Sequence, residues 1–350
     1  METSDDVLDR CSADDVRLVR LLYVGNDGIT RGHAVTTDEL DSAFESGVGL
    51  PESVQSLTAL DERILGGTYD TVGEARLVPD PSTFRVLPHE QRCGAMLCDV
   101  ETLDGRRWEA DPRSRLRAFL NDLPYQPSTA FETEFHVMEP SDDGLEPHDE
   151  RGVYSTRSAR RANDLVLEML DAIEAQDIGV KKYYPEHAPG KHEIVTAHDR
   201  GIDAVDDYVF HTETVRGVAE GNDLLATFLP KPVPDATNGL HVHLSLWDGD
   251  ENVFYDERGG RPSFRVSETA RHFVGGLLDH APALVGLTAP SVNSYARIRP
   301  QVEASAYTCW GFDNREAMVR IPSADRESEA GATRLEFRPA DNSSNPYLAL

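Results

Sequence analysis

The chain has 350 residues, with 34 lysines and arginines against 62 aspartates and glutamates, so its formal net charge is −28. Nucleic acids and anionic membranes are bound by basic surfaces, so this charge balance excludes both as expected partners. The sequence has no apolar run of the about 18 residues that a membrane helix needs and begins with an acidic segment unlike a signal peptide, which predicts a cytoplasmic protein.

The first hundred residues predict a small α+β unit. Residues 1–14 are polar and are expected to be frayed. Two apolar runs, 16–24 and 29–35, flank a Gly-Asn-Asp-Gly turn, which is typical of a β-hairpin. A short capped helix is expected over residues 37–45. Further strands are expected near residues 74–77, 83–88 and 95–101.

The remaining chain predicts alternating helices and strands. Asp111 followed by proline opens a helix that ends near Leu123. Amphipathic periodicity predicts further helices over residues 156–175, 205–220 and 268–281, the last followed by an apolar turn at Pro282.

Three short stretches place charged or metal-binding side chains on one face of an apolar strand. They are residues 131–135, 240–244 and 334–338. Alternate residues of a strand share a face. The polar faces therefore carry Glu132 and Glu134, then His241 and His243, then Arg334, Glu336 and Arg338. One such face alone is usually just solvated, but three together favour a cleft suited to a divalent metal and a phosphate.

An acidic loop at residues 184–194 places Glu186 and Glu193 on either side of a tight Pro-Gly turn. Its Gly190-Lys191 pair is not a phosphate loop, because the preceding glycine and the following Ser or Thr are missing. Acidic loops are mostly solvated, so this loop indicates a metal site only in combination with the other motifs.

Arginines in an otherwise acidic chain form another group, comprising Arg297, Arg315 and Arg320, with Glu303 between them. Guanidinium forks bind carboxylates and phosphates through two points. Structural salt bridges are the alternative for any single one of these arginines.

Seven ordered motifs together resemble the glutamine synthetase family. They begin at Glu132, Glu186, Thr227, Gly239, Asn293, Asn314 and Arg334. They read Glu-x-Glu-Phe, Glu-His-Ala-Pro-Gly-Lys-His-Glu, Thr-Phe-x-Pro-Lys-Pro, Gly-x-His-x-His, Asn-Ser-Tyr-x-Arg, Asn-Arg-(x)4-Arg-Ile-Pro and Arg-x-Glu-x-Arg. The resemblance implies an α+β fold, with an N-terminal β-grasp-like domain over residues 15–103 and a catalytic domain with a curved antiparallel sheet over residues 111–350.

The resemblance also implies two or more divalent ions per site, Mg²⁺ or Mn²⁺, which suit ligands that are mostly carboxylate. One ion would be held by Glu134, Glu186 and Glu193. The other would be held by Glu132, His241 and Glu336.

Further roles follow from the same resemblance. Glutamate would be bound by Arg297, Arg338 and Gly239. ATP would be contacted by His243, Ser245, Arg315, Arg320 and Arg334. The catalytic residues would be Glu303, Arg315 and Arg338, with Glu303 on a flap that shields the intermediate from water and helps remove a proton from the attacking amine.

The implied activity is an ATP-dependent ligase that forms a γ-glutamyl phosphate from glutamate and converts it to an amide with ammonia. An organic amine such as a polyamine or ethanolamine is the alternative acceptor. A non-catalytic structural or regulatory role and a guanidino kinase-like phosphotransferase are further alternatives. The family also implies a ring-shaped homo-oligomer with sites between subunits.

Two departures from the family pattern bear on the acceptor. The Asp-Gly-Ser-Ser loop that helps bind ammonium is missing near residues 49–62, where Asp61 is the nearest candidate by position. Lys191 stands where the family commonly has glutamine. The motif at Asn345 is followed in the family by several dozen residues, so we expect the catalytic domain to be truncated at its C-terminus.

Overall fold

The computed structural model describes residues 2–142, 144–150, 152–324 and 328–350, and it has the α+β architecture that was predicted. Its strands are β1 (Leu18–Val24), β2 (Thr30–Thr36), β3 (Val48–Pro51), β4 (Glu74–Pro79), β5 (Arg85–Val86), β6 (Cys93–Thr102), β7 (Gln126–Ser141), β8 (Gly144–Pro147), β9 (Val180–Pro185), β10 (Lys191–Thr196), β11 (Asp199–Arg200), β12 (Leu225–Thr227), β13 (Leu240–Asp248), β14 (Glu251–Asn252), β15 (Tyr307–Phe312), β16 (Ala317–Ile321) and β17 (Leu335–Phe337). Its helices are α1 (Ser4–Ala13), α2 (Leu40–Ser46), α3 (Pro112–Asp122), α4 (Thr156–Arg161), α5 (Asn163–Glu174), α6 (Asp203–Gly221), α7 (Glu268–Asp279), α8 (Ala281–Thr288), α9 (Val292–Arg297), α10 (Glu329–Ala332) and α11 (Pro346–Ala349).

A β-grasp-like sheet forms the N-terminal part. Its strand order is β2-β1-β6-β4-β3, with β5 added beside β6, and β1 and β6 run parallel. The β1–β2 hairpin is confirmed, with Val24 opposite Thr30. Helix α2 packs on β4 and buries Leu40 in a core with Leu21, Leu77 and other apolar residues.

The prediction that residues 1–14 are frayed is wrong. Thr3 and Asp6 form a capping box, in which each side chain accepts a hydrogen bond from the other residue's backbone N–H. Capping satisfies backbone donors that a short polar segment would otherwise leave to water. Val7 and Cys11 then lie one helical turn apart and are buried against the N-terminal sheet, which fixes α1 in place.

A second sheet, curved and mainly antiparallel, carries the polar strand faces. Its order is β15-β16-β17-β13-β7-β10-β9, with β8, β11 and β12 also pairing with the long strand β7. The apolar face of β7 packs on α6, which in turn packs on α5, and the shared core buries Phe131, Phe135 and Leu240. The opposite face of the same strands is thereby left to the charged residues.

Two predicted elements differ from the structure. The helix expected over residues 156–175 is interrupted at Ala162, where the backbone leaves helical geometry and α4 gives way to α5. The apolar turn expected at Pro282 is instead the first turn of α8. Proline is well tolerated there, because the first helical N–H groups have no partner within the helix.

A buried ionic network joins the N-terminal sheet to α6. Arg113 is 3% exposed and lies 2.7 Å from carboxylate oxygens of both Asp99 and Asp206 and 2.9 Å from Asp80. The Tyr347 hydroxyl donates to Asp206 over 2.7 Å.

Across the four described ranges, no helix combines the length and the apolar character needed to cross a membrane.

Candidate active site

The register of the second sheet places the acidic and imidazole side chains together. Glu132 of β7 lies opposite His241 of β13, and Glu134 lies opposite Glu193 of β10. Residues two apart on a strand share a face, so both cross-strand pairs project from the same side of the sheet. Two adjacent clusters result.

The first cluster, called here the histidine cluster, consists of Glu132, His241 and Glu336. One donor atom of each lies within 4.8 Å of the other two. His241 Nδ1 is 3.7 Å from Glu336 Oε1 and 4.0 Å from Glu132 Oε2, which is too long for a hydrogen bond and suits donors that share one ion. Burial lowers the pKa of His241, reinforced by the charges of Arg338 and Arg297, so the imidazole is neutral and able to act as a ligand.

Glu336 is fixed by two arginines from opposite sides. Arg338 donates to its Oε1, and Arg320 Nη1 donates to its Oε2 over 2.7 Å. Arg338 also donates to the backbone carbonyls of Arg315 over 3.1 Å and of Glu303 over 3.2 Å. Arg338 therefore ties the segment that carries Glu303 to the floor of the site.

The second cluster, called here the glutamate cluster, consists of Glu134, Glu186 and Glu193, again with donor atoms within 4.8 Å of one another. It contains a cation of the chain itself. Lys191 Nζ lies 2.8 Å from Glu134 Oε2 and 4.0 Å from Glu186 Oε2, and the whole residue is 6% exposed. The Tyr184 hydroxyl donates to Glu193 from the neighbouring strand.

The carboxylates of the glutamate cluster influence one another's charge. Burial, together with Glu132 and Glu134, raises the pKa of Glu193 well above its usual range, and burial and Glu134 raise the pKa of Glu186. Burial also opposes the charged form of Glu134, but Lys191, the Gly239 N–H and Arg297 together outweigh it and lower the pKa of that group. These groups therefore favour the charged form of one of the three carboxylates.

Gly239 lies between the two clusters, close to side chains of both. Its N–H donates to Glu134 Oε2 over 2.5 Å. A Cβ at this position would lie 2.9 Å from His241 Nε2, closer than side chains normally approach. Its carbonyl accepts hydrogen bonds from the Glu134 N–H and from Asn342 Nδ2.

The residues expected near the nucleotide extend along β13 from the histidine cluster. His243 Nε2 lies 3.1 Å from Glu132 Oε2, and Arg334 Nε donates to His243 Nδ1 over 3.0 Å. Burial opposes ionisation of Glu132, yet His243, Lys182 and Arg334 together outweigh it and lower the pKa of Glu132 to about 2. Ser245 follows on the same strand face and accepts a hydrogen bond from Trp247.

Three predicted residues are placed differently from the clusters. Arg297 is 2% exposed and turns its guanidinium to the carbonyls of Pro339 and Ala340. Arg315 and Glu303 are exposed at the rim. Their backbone carbonyls, and not their side chains, meet Arg338.

The sequence reasoning missed the supporting residues Tyr184 and Asn342. Tyr184 lies opposite Glu193 in the β9–β10 pair, a register that the sequence does not reveal. Asn342 accepts hydrogen bonds from Thr133 and from the Tyr208 hydroxyl while donating to Gly239. The only available signal for Tyr184 was its position two residues before Glu186.

Comparison with known families agrees with this fold. The model of the glutamine synthetase catalytic domain matches residues 109–350, and the model of the glutamine synthetase N-terminal domain matches residues 3–108. The chain is thus an ATP-dependent carbon–nitrogen ligase by class. It belongs to the glutamine synthetase family.

Individual relatives are similar over nearly the whole chain. Glutamine synthetase of Halobacterium salinarum is 35% identical over 98% of this chain and 75% of that protein, and glutamine synthetase of Methanocaldococcus jannaschii is 32% identical over 99% and 77%. A crystal structure of a novel glutamine synthase homolog has a TM-score of 0.86 at 32% identity, covering 95% of this chain and 80% of that one. GmaS without ligand has a TM-score of 0.84 at 26% identity, covering 98% and 78%.

Proposed function

We propose that this protein uses ATP to phosphorylate the side-chain carboxylate of glutamate and then joins the activated carbonyl to an amine, with ammonia as the first candidate. The observation that carries the proposal is the convergence of Arg320 and Arg338 on Glu336, directly beside the histidine cluster. Fixed guanidinium groups next to a cation site are what phosphoryl transfer requires, because the reaction develops negative charge on phosphate oxygens.

The histidine cluster has the donor chemistry of a Mg²⁺ or Mn²⁺ site. Two carboxylates and one neutral imidazole lie close enough to share one ion. When bound there, a divalent ion would neutralise charge on the phosphates of ATP. The glutamate cluster has suitable carboxylates too, but it already contains Lys191, so we assign no step to an ion at that position.

Activation by phosphate is needed because an amine cannot displace oxide from a carboxylate. The residues of this chain then have distinct roles. Arg320 and Arg338 orient the transferring phosphoryl group and the acid, while Arg334 holds His243 toward the nucleotide side. Arg315 supplies further positive charge at the rim. Arg297 and Gly239 bind glutamate, and Ser245 lies beside the nucleotide.

Glu303 is placed to act after activation. Its backbone N–H donates a hydrogen bond to the Glu316 carboxylate, and its carbonyl accepts one from Arg338. Its side chain is exposed at the rim. A carboxylate there can take a proton from the incoming amine, and the segment around it can exclude water from the acyl phosphate. Water exclusion is required because the acyl phosphate would otherwise hydrolyse.

A small organic amine is the second candidate acceptor, and two observations favour it. The segment after β3 lacks the Asp-Gly-Ser-Ser loop, and Asp61, the nearest candidate, forms a 2.7 Å ion pair with Arg31. Lys191 brings a positive charge into contact with Glu134 and close to Glu186. Both features differ from a site arranged for ammonium.

Three further expectations stay predictions under this proposal. The domains divide between residues 103 and 111, the protomers form a ring with sites between subunits, and the protein resides in the cytoplasm. Light scattering of the purified protein tests oligomer formation through the molar mass.

The test of the proposal is phosphate release from ATP in the presence of Mg²⁺ and glutamate, with ammonium, methylamine, ethanolamine or putrescine added separately. Mass spectrometry identifies the product. A γ-glutamyl amide supports the proposal. A stable phosphorylated amine indicates a phosphotransferase, and no phosphate release with any amine from an intact oligomer indicates a non-catalytic protein.

A further inference from the structure

We propose that the Lys191 ammonium takes the place of a divalent ion in the glutamate cluster, so that each protomer binds one divalent ion, in the histidine cluster, when no nucleotide is present. This inference deepens the proposed function because it concerns the same site. It assigns Lys191 as the residue that sets the metal content of the protein.

The first support is the contact geometry of Lys191. Its Nζ lies at hydrogen-bond distance, 2.8 Å, from Glu134 Oε2 and 4.0 Å from Glu186 Oε2. The lysine side chain is 7% exposed and that of Glu134 is 11% exposed. A lysine is almost never buried to this extent unless an opposite charge accompanies it. Glu134 is therefore engaged as the counter-charge of the lysine.

The second support is that strand geometry fixes the lysine inside the cluster. Lys191 and Glu193 are two residues apart on β10 and share a face, and Glu193 lies opposite Glu134. Gly190, just before Lys191, has a φ of +68°, and a Cβ there would lie 2.7 Å from the Val137 carbonyl. The backbone is thus closely packed where it delivers the lysine, and the lysine side chain itself is buried.

The third support is the conflict between two cations at one carboxylate. Mg²⁺ and Mn²⁺ bind carboxylate oxygens at about 2.0–2.3 Å. An ion held by all three glutamates would share Glu134 with the ammonium, within a few ångströms of it. Like charges at that separation repel strongly in a buried site, where water screens them poorly. Occupation of the glutamate cluster by the lysine therefore disfavours a divalent ion.

The histidine cluster differs in this respect. Glu336 is contacted there by Arg320 and Arg338, one on each carboxylate oxygen, whereas Glu132 is contacted by His243. A carboxylate has about four acceptor positions, so Glu336 retains capacity for an ion. His241 Nδ1 lies 3.7 Å from Glu336 and 4.0 Å from Glu132, beyond hydrogen-bond distance, so the imidazole is not hydrogen-bonded to either carboxylate. This cluster keeps its ligands available.

The experiment counts bound Mn²⁺ on the full chain without nucleotide, glutamate or amine, by electron paramagnetic resonance of the free ion. The variants are Lys191→Gln, Lys191→Arg and Glu336→Gln. Lys181→Gln is the matched control, because it removes a lysine from an exposed position in the same hairpin. We expect one ion per protomer for the unaltered protein, for Lys191→Arg and for the control, and none at the same concentration for Glu336→Gln.

Lys191→Gln is expected to bind a second ion, with affinity for the glutamate cluster raised about tenfold or more. Two bound ions in the unaltered protein, none in it, or a single ion in folded Lys191→Gln would each overturn the inference. Should Lys191→Gln fail to fold, the count on the unaltered protein and on Lys191→Arg still decides. Amide formation by a protein that binds two ions would overturn this inference and leave the proposed function intact. One bound ion without amide formation would overturn the proposed function and leave this inference intact.

Discussion

The two clusters begin from the same strand yet differ in the cations that hold them. Glu132 and Glu134 are two residues apart on β7, about 7 Å along the strand, and face the same way. Glu132 meets His241 and His243, whereas Glu134 meets Lys191. Identical side chains on one strand thus acquire different chemistry from the strand that pairs beside them. Glu132 faces imidazoles supplied by β13, and Glu134 faces the ammonium supplied by β10, on the other side of β7.

Glu336→Gln is the strongest way to break the histidine cluster. Glu336 is fully buried between Arg320 and Arg338, so removal of its charge leaves Arg338 without its carboxylate partner and leaves Arg320 only its 3.3 Å contact with Asp313. Loss of one partner of a buried ion pair costs about 3–5 kcal/mol. We expect the free energy of unfolding in urea to fall by that amount and phosphate release to be lost. An unfolding midpoint equal to that of the unaltered protein would contradict this account of Glu336.

Binding of Mg²⁺ to the histidine cluster can be measured through its effect on the stability of the folded protein. A ligand that binds only the folded state stabilises it by about 2.7 kcal/mol at a concentration one hundred times its dissociation constant. We expect that increment in the unaltered protein and none in Glu336→Gln. Measurement by thermal unfolding with Mg²⁺ and then with EDTA checks it. Equal Mg²⁺ stabilisation of both proteins would show that the histidine cluster is not the site of binding.

A double-mutant cycle measures the coupling free energy between Glu134 and Lys191 in the glutamate cluster. Glu134→Gln and Lys191→Met each leave a buried charge without its partner, whereas the double variant removes both charges. Contacting residues typically show coupling free energies of about 1–3 kcal/mol. We expect the double variant to be more stable than the sum of the single changes by that amount. Simple additivity of the three unfolding free energies would argue against the pair.

Tyr184→Phe has the smallest expected effect. It removes only the hydroxyl that donates to Glu193 and keeps the ring that packs against Tyr154. A hydrogen bond of this kind contributes about 1 kcal/mol, so unfolding should shift by that amount. Tyr154→Phe is a suitable control, because it retains the ring contact and leaves the Glu193 hydrogen bond intact. An equal loss in both variants would show that the hydroxyl on Glu193 has no special part.

Much of the site could be predicted because alternation along a strand is a local property. The alternation of polar and apolar residues over 131–135 and 240–244 identified the two faces of each strand. It also identified the apolar face, on which Phe131 and Leu240 are buried. The pairing of Glu132 with His241 was not readable, since register depends on strands more than a hundred residues apart. The position of Lys191 inside the glutamate cluster depends on the same kind of long-range register.

Helix boundaries failed for different physical reasons. Polar composition suggested that the first residues would be frayed, but a capping box and two buried side chains, Val7 and Cys11, order them. The apolar period of residues 156–175 continues across Ala162, so periodicity alone could not detect the break between α4 and α5. In the first residues, a cap and buried contacts outweighed the local pattern.

The most direct test of the central claim follows the oxygen of glutamate. Glutamate labelled with ¹⁸O in its side-chain carboxylate is incubated with the protein, ATP, Mg²⁺ and the amine that supports phosphate release, and the phosphate is analysed by mass spectrometry. An acyl phosphate intermediate predicts one ¹⁸O atom in each phosphate released. When the amine attacks, the bond between the carbonyl carbon and the bridging oxygen breaks, and that oxygen leaves with the phosphate. Phosphate without ¹⁸O would contradict activation of the carboxylate.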